Sequence, residues 1–386
     1  MRTRCEPDTL VAVFRSARRL RVMLAALAAA LTTGCPPSFE GLSVVGDADG
    51  AVPRVDAFVP RVDGGRAVGG PCGFPQLLVT VENLSSTTPA PGSVLRFELD
   101  PYPATTAHRC GDLTGGGRMV QQPWTAVRAP DGRVIVAGDD AVQAVDPDTD
   151  ALTTIVAAGD VPNRPTDAFV LRAPDGSTRV VIAFTAISSS GDIRNVWTLS
   201  GSSIVDRWML NDGVFPLGLS VSSMTQSPVH PERLLAVRSD MYAAAEVDPW
   251  AGTRFDMPPF VAPRDGVVLR TISALDDGGG NNRIAWTGAQ DGRDAAYGIT
   301  DRLGAGDLRV PLPDRCDETM CDSLLHAVAD PTEAHRVIAL CETNGPPRVR
   351  KVVRFSTTGR PCEVLIDDAS VGRDRRFSRL AMTVAP

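Results

Sequence analysis

The chain has 386 residues, 43% hydrophobic and 22% charged, which are ordinary proportions for a globular protein. Its net charge of −7 is uneven: residues 1–34 contribute +4, with six Arg against Glu6 and Asp8, and leave −11 for the rest. An acidic body without a Lys/Arg stripe argues against a nucleic-acid partner, whose binding is led by phosphate neutralisation.

Arg15, Arg18, Arg19 and Arg21 precede the apolar run V-M-L-A-A-L-A-A-A-L at 22–31, which T-T-G-C follows. A basic segment, a short apolar core and small residues at a cut site make an export signal. The run is shorter than the ~20 apolar residues of a membrane span. Gly34-Cys35 resembles a bacterial lipobox, which implies that residues 1–34 are removed and that Cys35 carries lipid into the membrane. Leu31 stands one place further from the Cys than that pattern prefers. Residues before Val11 exceed what a signal needs, so the start of translation is expected downstream. Residues 35–71 are rich in Gly, Pro and Asp without periodicity and read as a flexible linker. Asp47, Asp49, Gly50 and Asp56 match part of a calcium loop, but Val45 occupies the first ligand position, so an acidic tether is the simpler reading.

The chain has eight Cys. With Cys5 in the signal and Cys35 lipidated, Cys72, Cys110, Cys316, Cys321, Cys341 and Cys362 remain. An even number in an exported chain predicts disulfides. Six cysteines allow fifteen pairings, and the set taken as the expectation is Cys72–Cys110, Cys316–Cys321 and Cys341–Cys362.

From residue 71 onward the sequence repeats. W-T-A-V-R-A-P at 124–130, A-F-V-L-R-A-P at 168–174, S-S-M-T-Q-S-P at 222–228, L-H-A-V-A-D-P at 325–331 and L-A-M-T-V-A-P at 380–386 each read as a strand stopped by Pro. T-I-S-A-L-D-D-G at 271–278 fills the gap without a Pro. After each internal copy comes a turn and an apolar strand opening on Arg133, Arg179, Arg233, Arg283 or Arg336. L-L-V-T-V at 77–81 resembles these second strands but has no first strand before it. Third strands end in Asp-Pro at 100–101, 146–147 and 248–249, a turn signal, and a variable fourth strand follows. Four short strands every ~40–50 residues are the signature of a propeller blade. The orphan strand at 380–386 completes the first blade, so 71–386 is predicted to be an all-β, six-bladed β-propeller closed by its C-terminal strand. A pair of β-sandwiches is the rival architecture, and it gives no reason for an orphan last strand.

The Pro-Asp-Gly turns at 130–132 and 174–176 resemble the repeats of bacterial periplasmic propellers of the Tol-system type. S-P-V-H-P-E-R-L-L-A-V at 227–237 and A-D-P-T-E-A-H-R-V-I-A-L at 329–340 are similar to sortilin-type and Asp-box propellers. The resemblance lies in turns, implies blade geometry, and sets no activity. S-G-D-I-R-N-V-W at 190–197 has Ser190, Asp192 and Trp197 at Asp-box spacing, but Arg194 and Val196 depart from the motif. It is read as a hairpin loop between second and third strands.

No G-x-S-x-G elbow, H-E-x-x-H pair or phosphate-binding Gly loop is present. His326 is the one His expected in a channel-lining first strand. His108 is placed in an outer strand, and His230 and His335 in turns. Asp146, Asp148 and Asp150, and Asp276 with Asp277, read as solvated turns, with cation binding, such as a structural calcium, as the alternative; no cofactor is expected. Trp124, Trp208 and Trp286 are expected to pack between blades, and Trp250 to be an exposed contact residue. The hairpin loops at 83–92, 188–195, 288–294 and 342–348 are expected to gather at one mouth of the ring. His326, Asp192, Arg194, Asp291, Arg293 and Trp250 are therefore the candidate channel or mouth contacts. The expected function is a lipid-anchored binding or scaffold module for a protein or glycan, working as a monomer at the outer membrane or cell surface of a bacterial envelope. The alternative is a propeller hydrolase or lactonase, which would need carboxylates converging at the channel mouth.

Overall fold

In the computed structural model, the described residues are 72–383 apart from 86–89, 101–106, 158, 163, 185–195, 209–220, 228–229, 239–243, 251–253, 262–266, 277–281, 291–292, 303–304, 310–320, 344–347, 358–361, 368–370 and 373. They form six four-stranded antiparallel sheets. Blade 1 contains β1 (Gln76–Asn83), β2 (Ser93–Leu99) and β3 (Ala107–Leu113), and blade 2 contains β4 (Pro123–Arg128), β5 (Val134–Gly138), β6 (Val142–Val145) and β7 (Leu152–Val156). Blade 3 contains β8 (Pro165–Arg172), β9 (Thr178–Phe184), β10 (Val196–Ser200) and β11 (Ser203–Trp208). Blade 4 contains β12 (Val221–Gln226), β13 (Leu234–Arg238), β14 (Ala244–Asp248) and β15 (Arg254–Val261). Blade 5 contains β16 (Val268–Asp276), β17 (Asn282–Gln290), β18 (Arg293–Arg302) and β19 (Ala305–Arg309). Blade 6 contains β20 (Ser323–Ala329), β21 (Arg336–Glu342), β22 (Arg350–Ser356) and β23 (Glu363–Asp367). The last strand, β24 (Arg375–Thr383), returns to blade 1.

The closure is the one the repeat predicts. β24 runs antiparallel to β1, pairing Leu77 with Met382 and Val79 with Leu380. The six-bladed all-β propeller is therefore present, although the closing strand starts at Arg375 rather than Leu380. Hydrogen-bonding β1 on both sides leaves no bare edge at the seam.

The second strands are continuous apolar runs because they are buried on both faces. In β5, Ile135 and Ala137 join the core shared with blade 3, while Val134 and Val136 join the core shared with blade 1. The same division holds around the ring, with core clusters between blades 3 and 4, 4 and 5, 5 and 6, and 6 and 1. Each fully buried Ile or Leu contributes about 1.5–3 kcal/mol, so stability accumulates blade against blade instead of in one central mass.

The Pro-Asp-Gly turns build alike in blades 2 and 3. Gly132 and Gly176 adopt φ of 88° and 80°, and their N–H groups donate to Ala129 and Ala173 O at 2.9 Å. That conformation is open to glycine and strained for other residues.

Two disulfide expectations need correction. Cys72–Cys110 is present, but Cys321 bonds Cys341, which excludes both Cys316–Cys321 and Cys341–Cys362. The reason is register: β20 pairs Leu324 with Cys341, so the residues just before β20 lie beside the end of β21, with the two Cα atoms 5.4 Å apart. Cys362 is also disulfide-bonded, to a partner outside the described residues. The hairpin expected at 288–294 is also shorter than thought, because Gln290 still pairs with Arg293.

Candidate functional site

Each first strand carries the same irregularity near its start. The pairing of first with second strand skips one residue, so that Trp124, Thr166, Ser222, Arg270, Leu325 and Ser378 bulge out of the ladder. A bulge re-aims the side chains around it. In blades 2 and 5 the second strand has Gly close to this bulge: a Cβ on Gly138 would lie 2.8 Å from Gln122 O, and one on Gly288 would lie 2.7 Å from Val268 O.

The residue that follows the bulge is polar in every blade. The six are Thr125, Asp167, Ser223, Thr271, His326 and Arg379, and the first five are at most 7% exposed. They form a polar ring at the channel. Arg379, on the closing strand, donates from Nη2 to Asp167 Oδ2 in blade 3 at 2.7 Å and to Ser223 Oγ in blade 4 at 3.3 Å. Blade 4 lies opposite blade 1, so this guanidinium spans the axis. Ser223 Oγ donates to Asp167 Oδ2 at 2.6 Å and accepts from Ile272 N in blade 5 at 3.1 Å. Burial still raises the Asp167 carboxyl above its ordinary range, against the pull of Arg379 and Ser223.

His326 takes the ring position in blade 6, as a first-strand residue should. It is 3% exposed, and neither ring nitrogen has a hydrogen-bond partner among the described residues. Desolvation, aided by the charge of Arg379, lowers its pKa well below the usual imidazole value. The ring is therefore neutral, with one donor and one acceptor.

Second-to-third hairpins and blade-to-blade connections share one face, held together by Gly92 N to Val120 O at 2.9 Å and Asn83 N to Gln121 O at 3.2 Å. This is the mouth. Ala90, Met119, Gln121, Asp140 and Gln143 line a groove there. Closer to the axis, Glu82 is 2% exposed and receives Arg376 Nε at 2.9 Å, with Arg350 Nη1 at 3.5 Å. Arg350 also donates to Glu342 at 2.7 Å. Trp124 Nε1 donates to Asp139, and Arg164 lies 3.2 Å above the Trp124 ring. Burial raises the Asp139 carboxyl above its usual range, and burial lowers both Arg164 and Arg350. Sequence reasoning overlooked this cluster because its members come from four blades.

The other sequence candidates scatter. Asp192, Arg194 and Asp291 lie outside the described residues, and for Arg293 only the strand position is described, at the start of β18. Trp250 falls on the face opposite the mouth and is half-buried, not exposed. Its Nε1 donates to Glu232 O at 2.7 Å, and Arg179 lies 5.1 Å from its ring centroid. Trp286 packs between blades 4 and 5 as expected, whereas Trp124 serves the mouth. Asp150 binds the chain itself, accepting from the N–H groups of Thr114, Gly115 and Gly116 at 2.9–3.0 Å. Among the described residues no three His, Cys, Asp or Glu side chains come together as a metal site.

No family model matches the chain, and no curated protein matches it. Among solved structures it is similar to TolB from Acinetobacter baumannii, with 14% identity over 79% of this chain and 66% of that one, at a TM-score of 0.46. An auxiliary nutrient binding protein from Bacteroides thetaiotaomicron shows 10% identity over 75% of this chain and 64% of that one, TM-score 0.44. A hypothetical selenium-binding protein from Sulfolobus tokodaii shows 11% identity over 82% of this chain and 95% of that one, TM-score 0.47. The chain spans slightly less than two thirds of the length of the first two. The likeness is one of fold, and the six-bladed ring itself rests on the strand pairings above.

Proposed function

We propose that this chain is an exported propeller, anchored in the bacterial envelope through lipid on Cys35, that binds a protein or glycan at its mouth. The supporting observation is the asymmetry of the two faces. The mouth gathers Glu82, Asp139, Arg164, Glu342, Arg350 and Arg376 around the axis, whereas in the described turns of the opposite face Asp131, Asp175 and Asp330 are taken up by neighbouring N–H groups and arginines. Disulfides inside the ring fit an oxidising compartment, as export requires. A linker over 35–71 would span roughly 30 Å as a flexible coil, enough to lift the ring off a membrane surface.

Two measurements test this. Metabolic labelling with a clickable fatty acid should mark the wild type and leave Cys35→Ala unlabelled; equal labelling removes the anchor. A photo-crosslinking amino acid at Leu84, 44% exposed at the mouth, should capture a defined envelope component in living cells, while the same group at Val205, 48% exposed on the rim strand β11, should not. Adducts at Val205 but not at Leu84 would move binding away from the mouth.

A further inference from the structure

Five of the six first strands run into their second strand through a short connection, and in such hairpins the connection sets the register. β24 and β1 share no connection, because they come from opposite ends of the described chain. Alternation of apolar residues chooses which side chains face blade 6, but a slip of two residues keeps that alternation. Other contacts must fix how far β24 reaches along β1.

Four consecutive residues of β24 supply them. Arg376 stands opposite Glu82 and donates to it from Nε at 2.9 Å. Phe377 O accepts from Arg350 Nη1 of blade 6, and the Phe377 side chain is buried in the core between blades 6 and 1. Ser378, at the bulge, donates from Oγ to Pro123 O of blade 2 at 2.7 Å and lies 2.8 Å from Thr80 Oγ1. Arg379 reaches furthest, to Asp167 Oδ2 in blade 3 at 2.7 Å and Ser223 Oγ in blade 4 at 3.3 Å. One short stretch thus touches blades 1, 2, 3, 4 and 6. A slip of two residues would carry Arg379 about 7 Å along the strand, out of reach of Asp167. That would leave a buried carboxylate without its guanidinium, which opposes the slip. It would also take Arg376 from Glu82, itself 2% exposed, and undo the charged cluster at the mouth. We propose that Arg379 is a positioning residue: its bonds across the axis lock the register of the closing strand and so seat Arg376 against Glu82. The lock goes beyond the binding role and holds whatever the mouth binds.

The test is hydrogen exchange of the full chain purified in detergent. It is read on the peptides 76–84 and 375–383, with 134–145 of blade 2 as the reference. Arg379→Met should speed exchange on the first two about tenfold more than on the reference, the mark of a local opening. Arg354→Met, which breaks a buried pair with Asp330 in blade 6, controls for plain destabilisation and should speed 76–84 no more than the reference. Arg379→Lys keeps a cation near Asp167 and should restore most of the protection. Ser378→Ala, which removes the bond to Pro123, should give the same local pattern at about fivefold, and stays readable if the methionine variant does not fold. Exchange that rises uniformly in the Arg379 and Ser378 variants, or that Arg354→Met accelerates just as locally, would overturn the lock and leave β24 held by its apolar residues.

Discussion

The arginines that open the second strands and the six residues that follow the bulges are both repeated features, and they behave in opposite ways. On the turn face the residue type is kept, and its contacts stay within its own blade or reach only the next: Arg133 also meets Ser202 in blade 3, and Arg283 donates to Asp330 O and Glu333 O in blade 6. Arg133 binds Asp131, Arg179 binds Asp175, Arg233 binds Glu246, and Arg336 binds Glu333 and Glu363. At the axis the position is kept and the residue changes in nearly every blade, and the contacts reach across the ring. A repeat that preserves side-chain chemistry maintains the scaffold. One that preserves only geometry leaves room for a site.

Substitutions can test that division. The largest loss is expected at a turn-face pair that is wholly buried, Arg354 with Asp330, 2.8 Å apart with both side chains 0% exposed. Arg354→Met should cost about 3–5 kcal/mol because a buried carboxylate remains, read from the urea unfolding midpoint. At the axis, Arg379→Met should cost slightly less, about 3 kcal/mol. Its effect should shrink in acid as Asp167 takes a proton, which urea titrations at several pH values would reveal.

A smaller, pH-dependent effect belongs to His326. Its folded pKa lies well below the ordinary value of 6.5, so below that pH the unfolded chain accepts a proton that the folded chain refuses. Stability from this group is therefore present above 6.5 and falls with decreasing pH, at up to about 1.4 kcal/mol per pH unit. Asp167, raised by burial, acts in the opposite sense, losing stability as pH rises through its folded pKa. Comparing the wild type with His326→Gln isolates the histidine: the difference between their stability curves should flatten above neutrality. The smallest change is expected for Arg133→Ala, whose carboxylate partner Asp131 is partly exposed; calorimetry should register less than about 1 kcal/mol. A loss as large as that at Arg379 would erase the distinction between the two features.

The ring was legible in the sequence and the site was not, for a physical reason. Blade count and closure follow from local signals: prolines that stop strands, Gly132 and Gly176 in turns, and apolar second strands. The polar ring was hidden by the choice of landmark. Counted back from the terminal Pro, Thr125, Ser223 and His326 stand five residues upstream, but Asp167 and Arg379 stand seven upstream, because β8 and β24 are longer than β4 and β12. Counted from the bulge, all six coincide. The disulfides show a similar limit: Cys321 and Cys341 are twenty residues apart in sequence and adjacent only through the pairing of β20 with β21.

The pairing of β24 with β1 also dictates an order of events. The first described strand, Gln76–Asn83, must wait for the last, Arg375–Thr383, before its inner edge is covered. Until then an apolar strand paired only with β2 leaves its other edge bare, the kind of transient surface that invites aggregation. Synthesis must therefore reach β24 before the circle can shut, and a ribosome that stops short of Arg375 yields a protein that folding helpers must hold or destroy.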